Sequence, residues 1–246
     1  MKIIIAPAKT MRIESDLLAA ATDPLFPDET RCLKEAVQAL TYPQAKALWG
    51  CNDKLAELNY ERFRRMDGEP ALTPAVLAYE GLVYLHMGAR VMSEDALAYL
   101  DGHLRILSGF YGVIRPFDRV VPYRLEMQAR LAVGDCRDLY DFWGDKLYRA
   151  VSDESHIIIN LASKEYSRAI EEYLQPGDRF ITICFGEMVS GKIKQKATPA
   201  KMARGEMVRF MAERRVSRAE ELRDFAALGF SFSEERSDEN TYIFLR

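Results

Sequence analysis

Leu104–Met127 reads LRILSGFYGVIRPFDRVVPYRLEM. Its first residues, Leu104–Leu107, form a short apolar run that stops at Ser108-Gly109, which is strand chemistry followed by turn chemistry. Gly109 and Gly112 bracket Phe110-Tyr111. Glycine reaches left-handed backbone angles and lets another backbone or a ligand come close. Arg115 precedes Pro116, which biases Arg115 towards an extended conformation. Arg105, Arg115, Arg119, Arg124 and Arg130 fall within 26 residues against Asp118 and Glu126 alone, a local charge of +3. Guanidinium forks suit phosphate or carboxylate, and Tyr111 and Tyr123 add stacking faces and hydroxyl donors. A structural turn with its arginines paired to acids fits the same residues, so both readings stay open on residue chemistry.

The same grammar recurs along the chain. Lys2–Ala6 runs into Pro7-Ala8-Lys9-Thr10, Ala75–Tyr79 into Glu80-Gly81, His156–Leu161 into Ala162-Ser163-Lys164, and Arg179–Phe185 into Gly186. Each reads as a strand with a polar or glycine turn at its carboxyl end. Helical patterns lie between them. Asp28–Leu40 places Leu33, Ala36, Val37 and Leu40 on one face, and Arg137–Val151 does the same with Leu139, Phe142, Trp143 and Leu147. Pro199–Arg215 and Arg218–Leu228 read as two further helices, with Pro199 in a first turn and Gly229 as a stop. Phe230–Phe232 and Thr241–Leu245 read as a closing strand pair. The expected fold is one α/β domain over residues 1–246, of mixed α+β character, with a mixed sheet flanked by helices. Ligands of such sheets sit beyond the carboxyl ends of strands, so Lys9, Ser108, Ser163 and Lys164 are expected to converge on one cleft.

The 246 residues carry 48% hydrophobic and 29% charged side chains, an ordinary globular balance, and a net charge of -3. That excludes a globally basic nucleic-acid binder but not a local basic surface. The apolar run at the start, Ile3–Ala6, is well short of the roughly 7–15 residues of a secretory core, and no stretch reaches the roughly 20 of a membrane span. The cytoplasm is the expected location. Cys32, Cys51, Cys136 and Cys184 form no C-x-x-C pair, and His86, His103 and His156 stand apart, so neither metal nor other cofactor is expected.

Three further places carry candidate chemistry. From Gly191 to Arg218, nine basic residues face only Glu206 and Glu213, a local charge of +7 in an acidic chain. Lys201 and Arg204, three apart, share one helix side. Such a patch holds a polyanion by counterion release, or it is a solvated helix face. Asn160–Tyr166 joins a strand to a helix start, where Ser163 is an N-cap or part of an anion site. Lys9, just past the first strand, and Lys54, in Asn52-Asp53-Lys54, are candidate phosphate ligands or ordinary surface lysines.

Leu104–Met127 resembles, nearly end to end, the most characteristic block of the YaaA family of peroxide-stress proteins. Further blocks resemble the family in order: APAKT, NDKLAELNYERF, AYEGLVY, LYDFWG, INLASKEY and AKMARGEMVRFM. The resemblance runs from residue 1 to about residue 245. Ala6 and Asn52 stand where the family has Ser, and Leu82 where it has Asp, which argues against an essential catalytic role at 82. The resemblance implies survival of hydrogen peroxide by limiting free iron and iron-driven damage. It also implies DNA binding through a basic cleft with a helix-hairpin-helix-like element. It supplies no catalytic residues, so whether the chain is an enzyme stays open, as does its oligomeric state.

Ser108–Gly112 is a loose match to a DNA-binding hairpin, with two residues between its glycines and no proline. The expected ligand-binding set is therefore Lys9, Lys54, Arg105, Ser108, Gly109, Tyr111, Gly112, Arg115, Tyr123, Arg124, Asn160, Ser163, Lys201 and Arg204. DNA is the leading partner. The alternative is an enzyme acting on a small phosphorylated or nucleotide-like ligand at the strand ends.

Overall fold

Ile3, Ile4 and Ile5 have no solvent exposure at all, so their strand must be covered on both faces, as in parallel sheets of α/β folds. The computed structural model describes residues 1–14, 16–68 and 72–246 and shows how this is done. Nine strands form the main sheet: β1 (Lys2–Ile5), β2 (Leu104–Ser108), β3 (Gly112–Ile114), β4 (Ile157–Asn160), β5 (Arg179–Val189), β6 (Lys192–Lys194), β7 (Ala226–Ala227), β8 (Phe230–Phe232) and β9 (Thr241–Leu245). Their order is β7-β8-β9-β5-β4-β1-β2-β3, with β6 paired to β5 off this path. The central five, β9, β5, β4, β1 and β2, run parallel, with Ile3 opposite Leu104 on one side and Ile159 on the other. β3, β6, β7 and β8 are joined antiparallel. The sheet is thus mixed and flanked by helices, as its sequence pattern predicts.

The helices are α1 (Pro27–Gln38), α2 (Tyr42–Trp49), α3 (Asp53–Arg65), α4 (Ala75–Ala78), α5 (Leu82–Met87), α6 (Glu94–His103), α7 (Leu139–Trp143), α8 (Lys146–Val151), α9 (Lys164–Glu171) and α10 (Ala197–Arg214). One continuous set of buried side chains runs from Met1 to Phe244. Helix α10 packs closely on α5. A Cβ on Gly205 would lie 2.3 Å from the Val83 carbonyl oxygen, so only glycine lets the two backbones meet.

Three expectations are corrected. Ala75–Tyr79 is not a strand. Ala75–Ala78 is a single helical turn between the two-residue strands Thr73–Pro74 and Tyr79–Glu80. All four residues are buried, and a short apolar run has no periodicity that separates strand from helix. Arg137–Val151 is two helices, because Gly144 takes φ 50° and ψ −137° between them. Arg218–Leu228 is a 3-10 turn, Ala219–Asp224, followed by the β7–β8 hairpin. Leu228 and Gly229 both take positive φ, the pattern of a tight two-residue hairpin loop, so Gly229 turns a strand rather than stopping a helix.

The start of β1 is tied to the loop before β4. Asp153 accepts from the Met1 ammonium at 3.2 Å and from the Ser155 amide at 3.0 Å, and it pairs with Lys2 at 3.7 Å. Burial pushes its carboxyl up, but the Ser155 hydroxyl and amide and the ammonium outweigh it and hold the pKa at about 2. A depressed carboxyl stabilises the fold above its unfolded pKa of about 3.9 and loses that contribution as pH falls through the folded value. In urea melts, Asp153→Asn should be less stable than wild type by a constant amount from neutral pH to about pH 5. The gap should close as pH falls towards 2. A gap that persisted at pH 2 would show that the carboxylate's charge is not what matters.

Candidate anion-binding cleft

The carboxyl ends of β1 and β4 open into a cleft of about 570 Å³. Loop segments and the helices α5, α9 and α10 build it. Ala6–Thr10 follows β1, Glu80–Tyr84 runs into α5 with Glu80 paired to Thr10, and Tyr123–Glu126 is the third segment. Leu161, Ser163, Glu165 and Tyr166 come from the β4–α9 junction, and Lys201 and Arg204 from α10. The lining therefore carries Lys9, Arg124, Lys201 and Arg204 against Glu80, Glu126 and Glu165.

These charges are not equivalent. Glu126 accepts from Arg124 Nη2 at 2.9 Å and pairs with Lys9 Nζ at 3.3 Å, so it neutralises one edge of each. Arg124 is only 9% exposed, and its Nε–H is buried without an acceptor. The Nε–H of Arg204 is buried without an acceptor as well. Burial lowers the pKa of the Arg204 guanidinium, with Cys184 acting in the other direction, yet an arginine stays charged at neutral pH. Lys201 is exposed and has no ion pair among the described residues. Glu165 has its pKa pushed up by burial, and the charge of Glu126 adds to this. Helix α9 begins at the cleft with Ser163 in the N-cap position, extended at ψ 159°. The Ser163 hydroxyl makes no capping bond, while its carbonyl accepts from the Tyr166 and Ser167 amides at 2.9 Å, and the amino end of α9 lies at the same place.

Behind Tyr123 lies a directed chain of hydroxyls. Ser108 Oγ accepts from the amides of Phe110 at 3.1 Å and Tyr111 at 2.9 Å, which fills both its lone pairs. Its proton must then be donated to Tyr123 Oη, 2.5 Å away, and Tyr123 in turn donates to Tyr79 Oη at 2.8 Å. Burial pushes the Tyr123 phenol up to about 12, so this chain holds neutral hydroxyls at physiological pH.

Of the residues expected at the site, the structure brings together Lys9, Tyr123, Arg124, Ser163, Lys201 and Arg204. Ser108 reaches it only through Tyr123. The others do structural work or lie elsewhere. Tyr111 Oη accepts from Val121 N, and Asn160 bonds Ala162 N and Thr182 Oγ1. Arg115 clasps the fully buried Asp118 and the Asp23 carbonyl. Arg105 donates to the carbonyls of Asp101 and Leu104 at the amino end of β2, away from the cleft. Lys54 is exposed on the first turn of α3, and Lys164 turns to Glu171; neither lines the cleft. Gly109 and Gly112 shape the β2–β3 connection. Gly112 takes φ 75° against the Trp143 ring, and Gly109 O accepts from Trp143 Nε1 at 3.1 Å.

Three acids of the lining, Glu80, Glu126 and Glu165, are absent from the set expected from sequence, and Glu126 is the one that local sequence could reveal. The signal was present, because an acid two residues from Arg124 on an extended segment shares its face.

Ser108–Gly112 is a β-hairpin turn, with Ser108 opposite Gly112, and so is not a helix-hairpin-helix element. Short turns do join helices elsewhere, among them α2–α3 through Gly50-Cys51-Asn52, with Gly50 at φ 52°, and α7–α8 through Gly144-Asp145. The basic stretch 191–218 is also less free than its +7 suggests. Lys196 pairs with Glu187, Arg209 with Glu213, Arg215 with Asp95 and Arg218 with Glu221. Among the described residues no group of three His, Cys, Asp or Glu is arranged to hold a metal, and no helix is long and apolar enough to cross a membrane.

The chain is 51% identical over 245 residues to a UPF0246 protein of Lactiplantibacillus plantarum, covering 100% of this chain and 99% of that one. It is 49% identical over 246 residues to one from Agathobacter rectalis, at 100% and 99% coverage, and 47% to one from Desulfitobacterium hafniense, at 100% and 98%. The sequence profile described as Peroxide stress protein YaaA matches residues 1–236. The chain belongs to the peroxide stress protein YaaA family.

Proposed function

We propose that this protein acts in the cytoplasmic response to hydrogen peroxide by binding DNA phosphates in the cleft, and that it limits iron-driven damage there. One observation carries the reading: Arg124 and Arg204 each hold a buried Nε–H without an acceptor on the same cleft. A buried donor left unsatisfied costs about 1–3 kcal/mol, which a phosphate oxygen offsets with a charge-assisted bond once the guanidinium turns that donor into the cleft. Lys201 adds a cation with no acidic partner among the described residues. Strand β5 continues beyond Thr182, where β4 ends at Asn160, and carries the β5–β6 hairpin past the carboxyl edge of the sheet. Its exposed Lys192 and Lys194 extend the cationic surface at the cleft's end of the molecule. Phosphates so covered release their condensed cations. Ferrous iron among those cations would then react with peroxide away from the DNA.

A second reading has its own support. A cleft of about 570 Å³ with a helix start on its rim is of the size that holds a small phosphorylated ligand, roughly 300–1,000 Å³.

A DNA titration at 50 and 200 mM salt, on wild type and on Lys201→Ala/Arg204→Ala, separates the two. Phosphate contacts give a log–log slope of about −0.9 per contact, so the double variant should bind more weakly and with a slope flatter by about 1 to 2. Absent binding, or an affinity indifferent to salt and to the variant, would contradict the DNA reading.

A further inference from the structure

A larger cavity, about 780 Å³, adjoins the cleft and shares Lys9 and Glu126 with it. It lies at the carboxyl end of α2, between that helix and residues 126–131. Leu40, Leu48 and Leu131 give it apolar walls. Trp49 lines it at 3% exposure, and the indole Nε1–H is buried with no acceptor. The Trp49 ring is already stacked on Phe63, with centroids 6.0 Å apart, so what it lacks is a partner for its edge. Gln44, also in the lining, turns its carbonyl oxygen to the amide and hydroxyl of Thr41, which leaves its amide hydrogens for another acceptor. Arg130 is exposed at the same cavity and has no ion pair among the described residues.

We propose that this cavity takes an unstacked nucleobase whose own phosphate sits in the adjoining cleft. A flat apolar body fits the leucine walls. A ring nitrogen or carbonyl oxygen on its edge accepts from the Gln44 amide, and from the Trp49 Nε1–H once the indole turns it out of its buried position. The shared Lys9 stands where the base joins its sugar-phosphate. Enzymes and binding proteins that read extruded or single-stranded bases combine these same parts: a cationic track for the backbone beside an apolar pocket with a few edge donors. The proposal rests on the phosphate-binding reading of the cleft and adds to it the chemical class of what is attached to the phosphate.

The test compares a single-stranded oligonucleotide with an equal-length abasic strand, which keeps every phosphate and removes every base. Wild type should bind the base-bearing strand about tenfold more tightly, and only that strand should quench Trp49 fluorescence. Trp49→Phe keeps an aromatic ring against Phe63 but removes the N–H, and should erase most of the preference while leaving affinity for the abasic strand unchanged. Ala47→Trp fills the cavity from an exposed position of α2 and should do the same without disturbing the core. Equal affinity of wild type for the two strands, or a preference that survives both variants, overturns the base pocket and leaves the cleft reading standing. Binding of neither strand removes both.

Discussion

Gly109→Ala should destabilise the protein by about 3 kcal/mol, at the upper end of the usual cost of overpacking a core. A Cβ at this position would lie 2.5 Å from the Leu125 carbonyl oxygen, 2.9 Å from the Glu126 carbonyl carbon and 3.0 Å from the Met127 amide nitrogen. All three are backbone atoms, so no side chain can swing aside. At about 2–4 °C per kcal/mol for a chain of this size, the melting temperature should fall by roughly 6–12 °C. Gly102→Ala is the control, because a Cβ there meets nothing within 4 Å, and it should melt close to wild type. The crowded backbone is the one that carries Arg124 and Glu126. At temperatures where the variant remains folded, its DNA affinity should therefore fall as well. A variant that melts like wild type would mean that the 109 and 125–127 backbones are not in contact.

Arg124→Met should weaken DNA binding by about 100-fold while leaving the fold intact. Arg124 has one guanidinium edge on Glu126 and the other unpaired. Removing it deletes the unpaired donor and also releases a 12%-exposed carboxylate to face the incoming phosphate, with Lys9 as its remaining ion-pair partner among the described residues. Truncating one member of a buried, hydrogen-bonded charge pair at an interface costs about 2–5 kcal/mol, and 100-fold is about 2.7 kcal/mol. Adding Glu126→Gln to Arg124→Met should recover part of the loss, since the repulsive charge is gone. If the single variant binds DNA as wild type does, the cleft is not the phosphate site.

How far the sequence speaks differs between fold and site. The strands of the central sheet were legible because β-branched runs such as Lys2–Ala6 and His156–Leu161 end in turn residues, and both faces of a parallel sheet are buried. Ala75–Tyr79 misled because four buried apolar residues look alike as strand or helical turn. Arg218–Leu228 misled because its pattern resembled a helix, while Leu228-Gly229 makes a hairpin.

At the site, Lys9, Ser163, Lys201 and Arg204 were legible as polar groups just past strand ends or on one side of a helix. Arg105 and Arg115 were not separable from Arg124 by type. What distinguishes them is the partner each finds. Arg105 meets main-chain carbonyls and Arg115 meets Asp118, while Arg124 keeps a donor free. Partners brought close by the fold leave no mark on local sequence, which is also why Trp49 and its cavity went unnoticed.

The two orphan guanidinium donors can be watched directly. In a nitrogen-15 labelled sample, the Nε–H signals of Arg124 and Arg204 are assignable by their loss in Arg124→Met and Arg204→Ala. Titration with a short DNA duplex should shift both signals saturably, along a single binding curve that moves to higher concentration as salt is raised. Signals from Arg124 and Arg204 that stay in place while DNA binds would put the phosphates elsewhere and contradict the account.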